Sequence, residues 1–239
     1  MFKMTYTRLL ALAILAVALA SQVHAGSINE SINIGDGAES TGQSSVNGSI
    51  TVGSKATVTG ELETVNGAIR VDNDARVEAL QTVNGSIRVG SNVQTGDISG
   101  VNGSIRLGSN VVVEGEISVV NGRVSTESGT RISKDVSNVN GEFQILGSSI
   151  GGDLTTVNGD VWLMDQSELL GDLVVEMPSG WNSKGQREPS IVIGAGSTVK
   201  GQIRLERKVK LYIHDSASVA GVSGEMTLDD AVRFSGDRP

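Results

Sequence analysis

Val46-Asn47-Gly48-Ser49-Ile50-Thr51-Val52-Gly53-Ser54-Lys55-Ala56-Thr57-Val58-Thr59-Gly60-Glu61-Leu62-Glu63-Thr64 is one turn of a repeating unit. Ile50/Val52, Ala56/Val58 and Leu62 are apolar residues in short alternating runs, which is the pattern of strands with one face inside. Ile50, Ala56 and Leu62 stand six residues apart, so the unit reads as three short sides joined by three corners. Its opening triplet returns at Val65-Asn66-Gly67, Val83-Asn84-Gly85, Val101-Asn102-Gly103, Val120-Asn121-Gly122, Val139-Asn140-Gly141 and Val157-Asn158-Gly159. Successive asparagines are 19, 18, 18, 19, 19 and 18 residues apart, and a fixed period of this size marks a repeat architecture.

The apolar positions repeat with the triplet. Ile69/Val71, Ile87/Val89, Ile105/Leu107, Phe143/Ile145 and Val161/Leu163 continue the first side, with Thr126 a polar exception. Val77, Val113, Ile132, Ile150 and Leu169 continue the second side, and Leu80, Ile98, Ile117, Val136, Leu154 and Leu173 the third. The pattern stops after Glu176, where 177–189 carry two prolines, Trp181 and several Gly and Ser residues, and so read as a loop insertion. It resumes with Ile191/Ile193, Val199 and Ile203, then Leu211/Ile213 and Val219. The last third side falls on Ser223, with Val222 one residue short of register. The expected fold is all-β: a single-stranded triangular β-helix (β-solenoid) of about nine coils of 18–19 residues. Residues 26–45 are expected to form an N-terminal capping coil, 46–225 the solenoid, and 226–239 a C-terminal cap and tail.

Residues 1–25 read as a secretory signal peptide. Lys3 and Arg8 precede an apolar run from Leu9 to Ala20, and Val23-His24-Ala25 fits a small-x-small cleavage site. That run is too short to serve as a transmembrane anchor, so no spanning segment is expected in the mature chain. Removing the leader takes away two of 19 basic residues and none of 27 acidic ones, for a net charge of −10. Such a charge argues against nucleic acid as a partner. The chain has no cysteine, so stability must come from stacking. Aromatics are only 3%, which leaves Val, Ile and Leu to build the core.

Stacking places each repeat position above itself. Asn47, Asn66, Asn84, Asn102, Asn121, Asn140 and Asn158 are therefore expected to form a structural amide ladder, each side chain donating and accepting along the axis. The Asn-Gly pair also suits a left-handed corner. Gly60, Gly96, Gly115, Gly152, Gly171, Gly201 and Gly221 form a second column, often followed by an acid: Glu61, Asp97, Glu116, Asp153, Asp172. Arg70, Arg88 and Arg106 form a short basic column. Like charges stacked about 5 Å apart need solvent, a counter-charge or a cation. A solvated edge is the expected reading of the acids, with a Ca²⁺ stripe as the alternative.

The stretch from Ile50 to Leu62, of the form Ile-x-Val-Gly-Ser-x-Ala-x-Val-x-Gly-Glu-Leu, resembles the bactofilins, polymer-forming bacterial β-helix proteins. Ile191 to Ile203 follows the same form more loosely. The Val-Asn-Gly-x-Ile rhythm is also similar to exported bacterial repeat proteins of unassigned function. The resemblance implies a right-handed triangular helix that associates end to end as a homo-oligomer or polymer. The six-residue spacing by itself fits a left-handed hexapeptide helix equally well.

No catalytic, cofactor or metal motif is present. The mature chain has one histidine, His214, expected to be structural, and neither a nucleophile set nor a phosphate loop. Trp162, Trp181 and Tyr212 form a candidate binding patch, since exposed aromatics mark recognition surfaces. The functional expectation is an exported, non-enzymatic structural or interaction protein of the bacterial cell envelope, periplasmic or secreted, with self-assembly among its behaviours. An envelope glycan or protein is the expected partner. The alternatives are a glycan-binding module or a β-helix enzyme acting on polysaccharide.

Overall fold

The computed structural model describes residues 28–178 and 187–239. The expected leader and Trp181 lie outside the described residues. The chain winds as a β-solenoid of parallel strands with almost no helix. The first sides stack into an 11-stranded sheet that runs from Ile32–Ile34 to Val232–Phe234. The second and third sides form one 17-stranded sheet folded along the second corner. In the first three turns one strand crosses that corner: Glu39–Ser45, Thr57–Thr64 and Arg76–Asn84. Further on it divides into pairs such as Gln94–Thr95 and Ile98–Asn102.

Register follows the apolar pattern. Ile50, Ile69, Ile87, Ile105, Val124, Phe143, Val161, Ile191 and Leu211 lie one above the next, and all are buried. A shift by one residue would turn every inward side chain outward, so alternation alone fixes this stacking. Thr126 faces the core as the pattern requires, and its Oγ1 lies 2.8 Å from Ser148 Oγ, so the buried hydroxyl is satisfied.

Ile32–Ile34 and Glu39–Ser45 pair with the next turn along both sheets, so this terminal segment winds as a coil. One reading of the register is corrected. Val222, not Ser223, pairs with Ile203: the second corner of that turn is one residue shorter, and the apolar column continues without a slip.

Of the triplet glycines, Gly103 and Gly141 have positive φ, 155° and 152°, but the rest of the left-handed backbone lies elsewhere than expected. Its non-glycine residues sit at the first corner, at Lys55, Asp74, Asn92, Asn110, Asp165 and Gln166, with φ between 58° and 62°. None of the triplet asparagines is among them. Strands Ile98–Asn102, Ile117–Asn121 and Val136–Asn140 each take in the asparagine as their last residue.

The glycine of the triplet has a different cause. A Cβ on Gly67, Gly85, Gly103, Gly122 or Gly141 would overlap the carbonyl oxygen of the triplet glycine one turn earlier. The rungs approach so closely there that only hydrogen fits. No helix among the described residues is long and apolar enough to cross a membrane.

Candidate functional site

The asparagines form an unbroken column. Each Nδ2 donates to the Oδ1 of the asparagine one turn earlier: Asn66 to Asn47 at 2.9 Å, Asn84 to Asn66 at 2.9 Å and Asn102 to Asn84 at 2.9 Å. Asn121, Asn140 and Asn158 continue it at 3.0, 2.9 and 2.9 Å. Two members fall outside the motif. Asn47 donates to Asn29 Oδ1 at 2.8 Å, which extends the column below the first triplet. At the other end Arg207 donates to Asn158 Oδ1 at 3.0 Å and to Val157 O at 3.3 Å. The insertion removes the next asparagine, and a guanidinium reaching back supplies the missing donor.

This geometry sets a ranking. Asn102→Ala breaks two amide bonds, whereas Asn29→Ala breaks one. Asn47 is held on both sides, so the terminal comparison belongs to Asn29 and not to Asn47. At roughly 0.5–1.5 kcal/mol per bond, Asn102→Ala should lower stability by about twice as much as Asn29→Ala. Urea midpoints of the two variants check this, and equal shifts would refute it.

Behind the ladder runs an inner column of small polar residues. Thr64 Oγ1 donates to Gly48 O at 2.9 Å, Thr82 Oγ1 to Gly67 O at 3.1 Å and Asn138 Nδ2 to Gly122 O at 2.6 Å. These bonds satisfy the glycine carbonyls of the triplets, which are otherwise crowded by the next rung.

The acid column also binds backbone. Asp97 Oδ1 accepts the Glu116 N–H at 2.8 Å, Asp135 that of Asp153 at 2.9 Å, Asp153 that of Asp172 at 2.8 Å, and Asp172 that of Gln202 at 2.8 Å. A Cβ on Gly115, Gly152, Gly171 or Gly201 would collide with these carboxylate oxygens, so the glycine and the acid are one device spread over two turns. Among the described residues, no group of three His, Cys, Asp or Glu side chains could hold a metal ion.

Near the N-terminal end the acids crowd. Burial pushes the Glu61 carboxyl above its ordinary value, and the charges of Asp97 and Glu78 add to it. Burial, then the charge of Glu61, does the same to Glu63. Both groups bind a proton more tightly when folded, so their contribution to stability is full below the ordinary Glu range. It is lost as pH rises through the raised folded values. Glu61→Gln should therefore raise the melting temperature at neutral pH, with the gain vanishing below the ordinary Glu range. Glu61 is only partly buried, and solvent screening keeps the gain under about 1 kcal/mol. Melting curves of both forms across that pH window check it.

The basic column is in register, Arg70 over Arg88 over Arg106, and all three are exposed. Arg70 pairs with Asp72 at 2.9 Å. His214 ends strand Lys210–His214, accepts the Ser216 N–H at Nδ1 (3.0 Å) and meets Phe234 edge-on with ring centroids 5.1 Å apart. It fastens the last strand.

Trp162 faces outward on the first side, between Gln144 and Val192 in register. Tyr212 lies in the same column, with Val192, 0% exposed, on the strand between it and Trp162. What reaches Trp162 is the C-terminal tail, with the Arg238 guanidinium 5.9 Å from the ring centroid. Between tail and sheet lies a groove of about 460 Å³ bordered by Arg123, Glu142, Gln144, Trp162, Asp165 and Asp237. Arg123 and Glu142 are paired at 2.7 Å. The base of the insertion is pinned nearby: Arg187 pairs with Asp160 at 2.5 Å, Asp160 accepts the Ser190 N–H at 2.8 Å, and Arg207 donates to Arg187 O at 3.0 Å.

Asn29, Arg207 and the groove residues other than Trp162 escaped the sequence reading. Asn29 sits exactly 18 residues before Asn47, a spacing that could have found it. No protein-family model, curated protein or solved structure matches the chain.

Proposed function

We propose that this chain is an exported, non-enzymatic structural or interaction protein of the bacterial cell envelope, periplasmic or secreted, built as a rod that stacks end to end with copies of itself. The observation that carries this reading is the column of amides from Asn29 to Asn158 with Arg207 closing it. The polar side chains that recur along the axis bind the neighbouring turn, so the repeat favours cohesion over chemistry. Self-association is supported by the edges: Ile32–Ile34 and Glu39–Ser45 each pair on one flank only among the described residues. An unpaired parallel edge is a template for another strand. The likeness to bactofilins and to exported Val-Asn-Gly repeat proteins gives this association its specific form, and the leader-like residues 1–25 give its location.

Sedimentation and electron microscopy of the chain from Gly26 onward test the proposal. Filaments or concentration-dependent oligomers are expected. A monomer at every concentration would remove the assembly part, and turnover in a polysaccharide-cleavage screen would remove the non-enzymatic part.

A further inference from the structure

We propose that the groove at Trp162 binds an uncharged pyranose ring of a glycan, stacked on the indole and hydrogen-bonded at its rim by Gln144, Glu142 and Asp165. An outward indole presents a broad apolar face, and a sugar ring offers a matching C–H face with hydroxyls around its edge. Gln144 is directly opposite Trp162 on the neighbouring strand, about 5 Å away, within reach of hydroxyls on a ring lying over the indole. Its amide both donates and accepts, as vicinal hydroxyls require. Arg123 holds the Glu142 carboxylate at 2.7 Å, so this acceptor is positioned before a ligand arrives. Met164 and Leu146, paired across the same two strands, extend an apolar floor beneath the polar rim.

The volume of about 460 Å³ falls within the range of small-ligand sites, ~300–1,000 Å³. Charge argues for a neutral ring. The guanidiniums of Arg123 and Arg238 nearly balance Glu142, Asp165 and Asp237, and Arg123 already has its partner. The rival occupant is a guanidinium from a basic peptide, the chemistry that Arg238 imitates. Yet Arg238 stands at the outer limit of a cation–π contact, about 6 Å, and the strand neighbours of Trp162 are an amide and a valine. A cation seat would want carboxylates or further aromatic rings at those two positions.

The test uses the chain from Gly26 onward carrying Trp181→Phe, so that Trp162 alone reports by fluorescence. Cellotetraose, chitotetraose, maltotetraose and mannotetraose are titrated, and calorimetry gives the affinities. At least one saccharide should shift the emission and bind, with Trp162→Ala weakening binding by about tenfold or more. Gln144→Ala should weaken it by a smaller factor with no change in melting temperature, which separates loss of contact from loss of fold. Silence from all four saccharides, equal affinity in Trp162→Ala, or a response to tetra-arginine alone would overturn the proposal. None of these readouts depends on whether the rods assemble, so the two proposals fail separately.

Discussion

Gly85→Ala is expected to lower stability by ~3 kcal/mol or more, and to leave the middle of the rod unable to close. The added methyl would overlap the Gly67 carbonyl oxygen, a backbone atom with no rotamer to change. Moving the rung does not relieve it, because the same column continues: the Cβ position of Gly103 lies against the Gly85 carbonyl in turn. A shift would also stretch the Thr82 Oγ1 bond to Gly67 O, 3.1 Å, and the amide bonds of Asn84 to Asn66 and Asn102, each 2.9 Å. Gly35→Ala is the control, since a Cβ there meets nothing within 4 Å and the change should stay within about 0.5 kcal/mol. Urea unfolding of both variants checks the pair. Similar midpoints would mean that close approach is not what the triplet glycine is for.

Phe143→Ala is expected to cost ~3–5 kcal/mol. Phe143 is the largest fully buried side chain among the described residues, in register between Val124 and Val161. The neighbouring inward position one turn earlier is Thr126, also small. The ring therefore occupies volume that an isoleucine fills in most other turns, plus the space left by the two valines. Removing it opens a cavity that hydrogen-bonded rungs above and below cannot collapse into. Phe143→Ile restores the residue found elsewhere in the column and should cost under about 1.5 kcal/mol. Denaturant titrations with unchanged slope would assign both effects to the folded core.

The winding of the chain was legible because inward positions alternate and recur with the triplet; Ile50 over Ile69 over Ile87 follows from spacing alone. The amide column was legible for the same reason. The role of the glycine was not, because Asn-Gly serves equally at a left-handed turn and at a close approach between rungs, and only the stacked carbonyl distinguishes them. Lys55 and Gln166 adopt positive φ without any residue-type signal, held there by the bonds of the first corner. The register of Val222 depended on a corner shortened by one residue, which no local pattern announces. The groove needed Arg238 to return to Trp162 across two intervening rungs, a contact between distant parts of the chain. Arg207 closes the amide column from 49 residues away, for the same reason invisible to a motif.

The amide column also bears on how the molecule ages. Asparagine followed by glycine is the sequence most prone to cyclise, the glycine nitrogen attacking the side-chain carbonyl to expel ammonia and leave a succinimide, then isoaspartate. Here the nitrogens of Gly85, Gly103 and Gly122 are bonded to carbonyls of the next rung at 3.0, 3.0 and 2.9 Å, and the amides they would attack are gripped from both sides. Cyclisation at those sites must wait for a rung to open. Isoaspartate accumulating along the rod is thus a chemical record of which turns breathe, and how often.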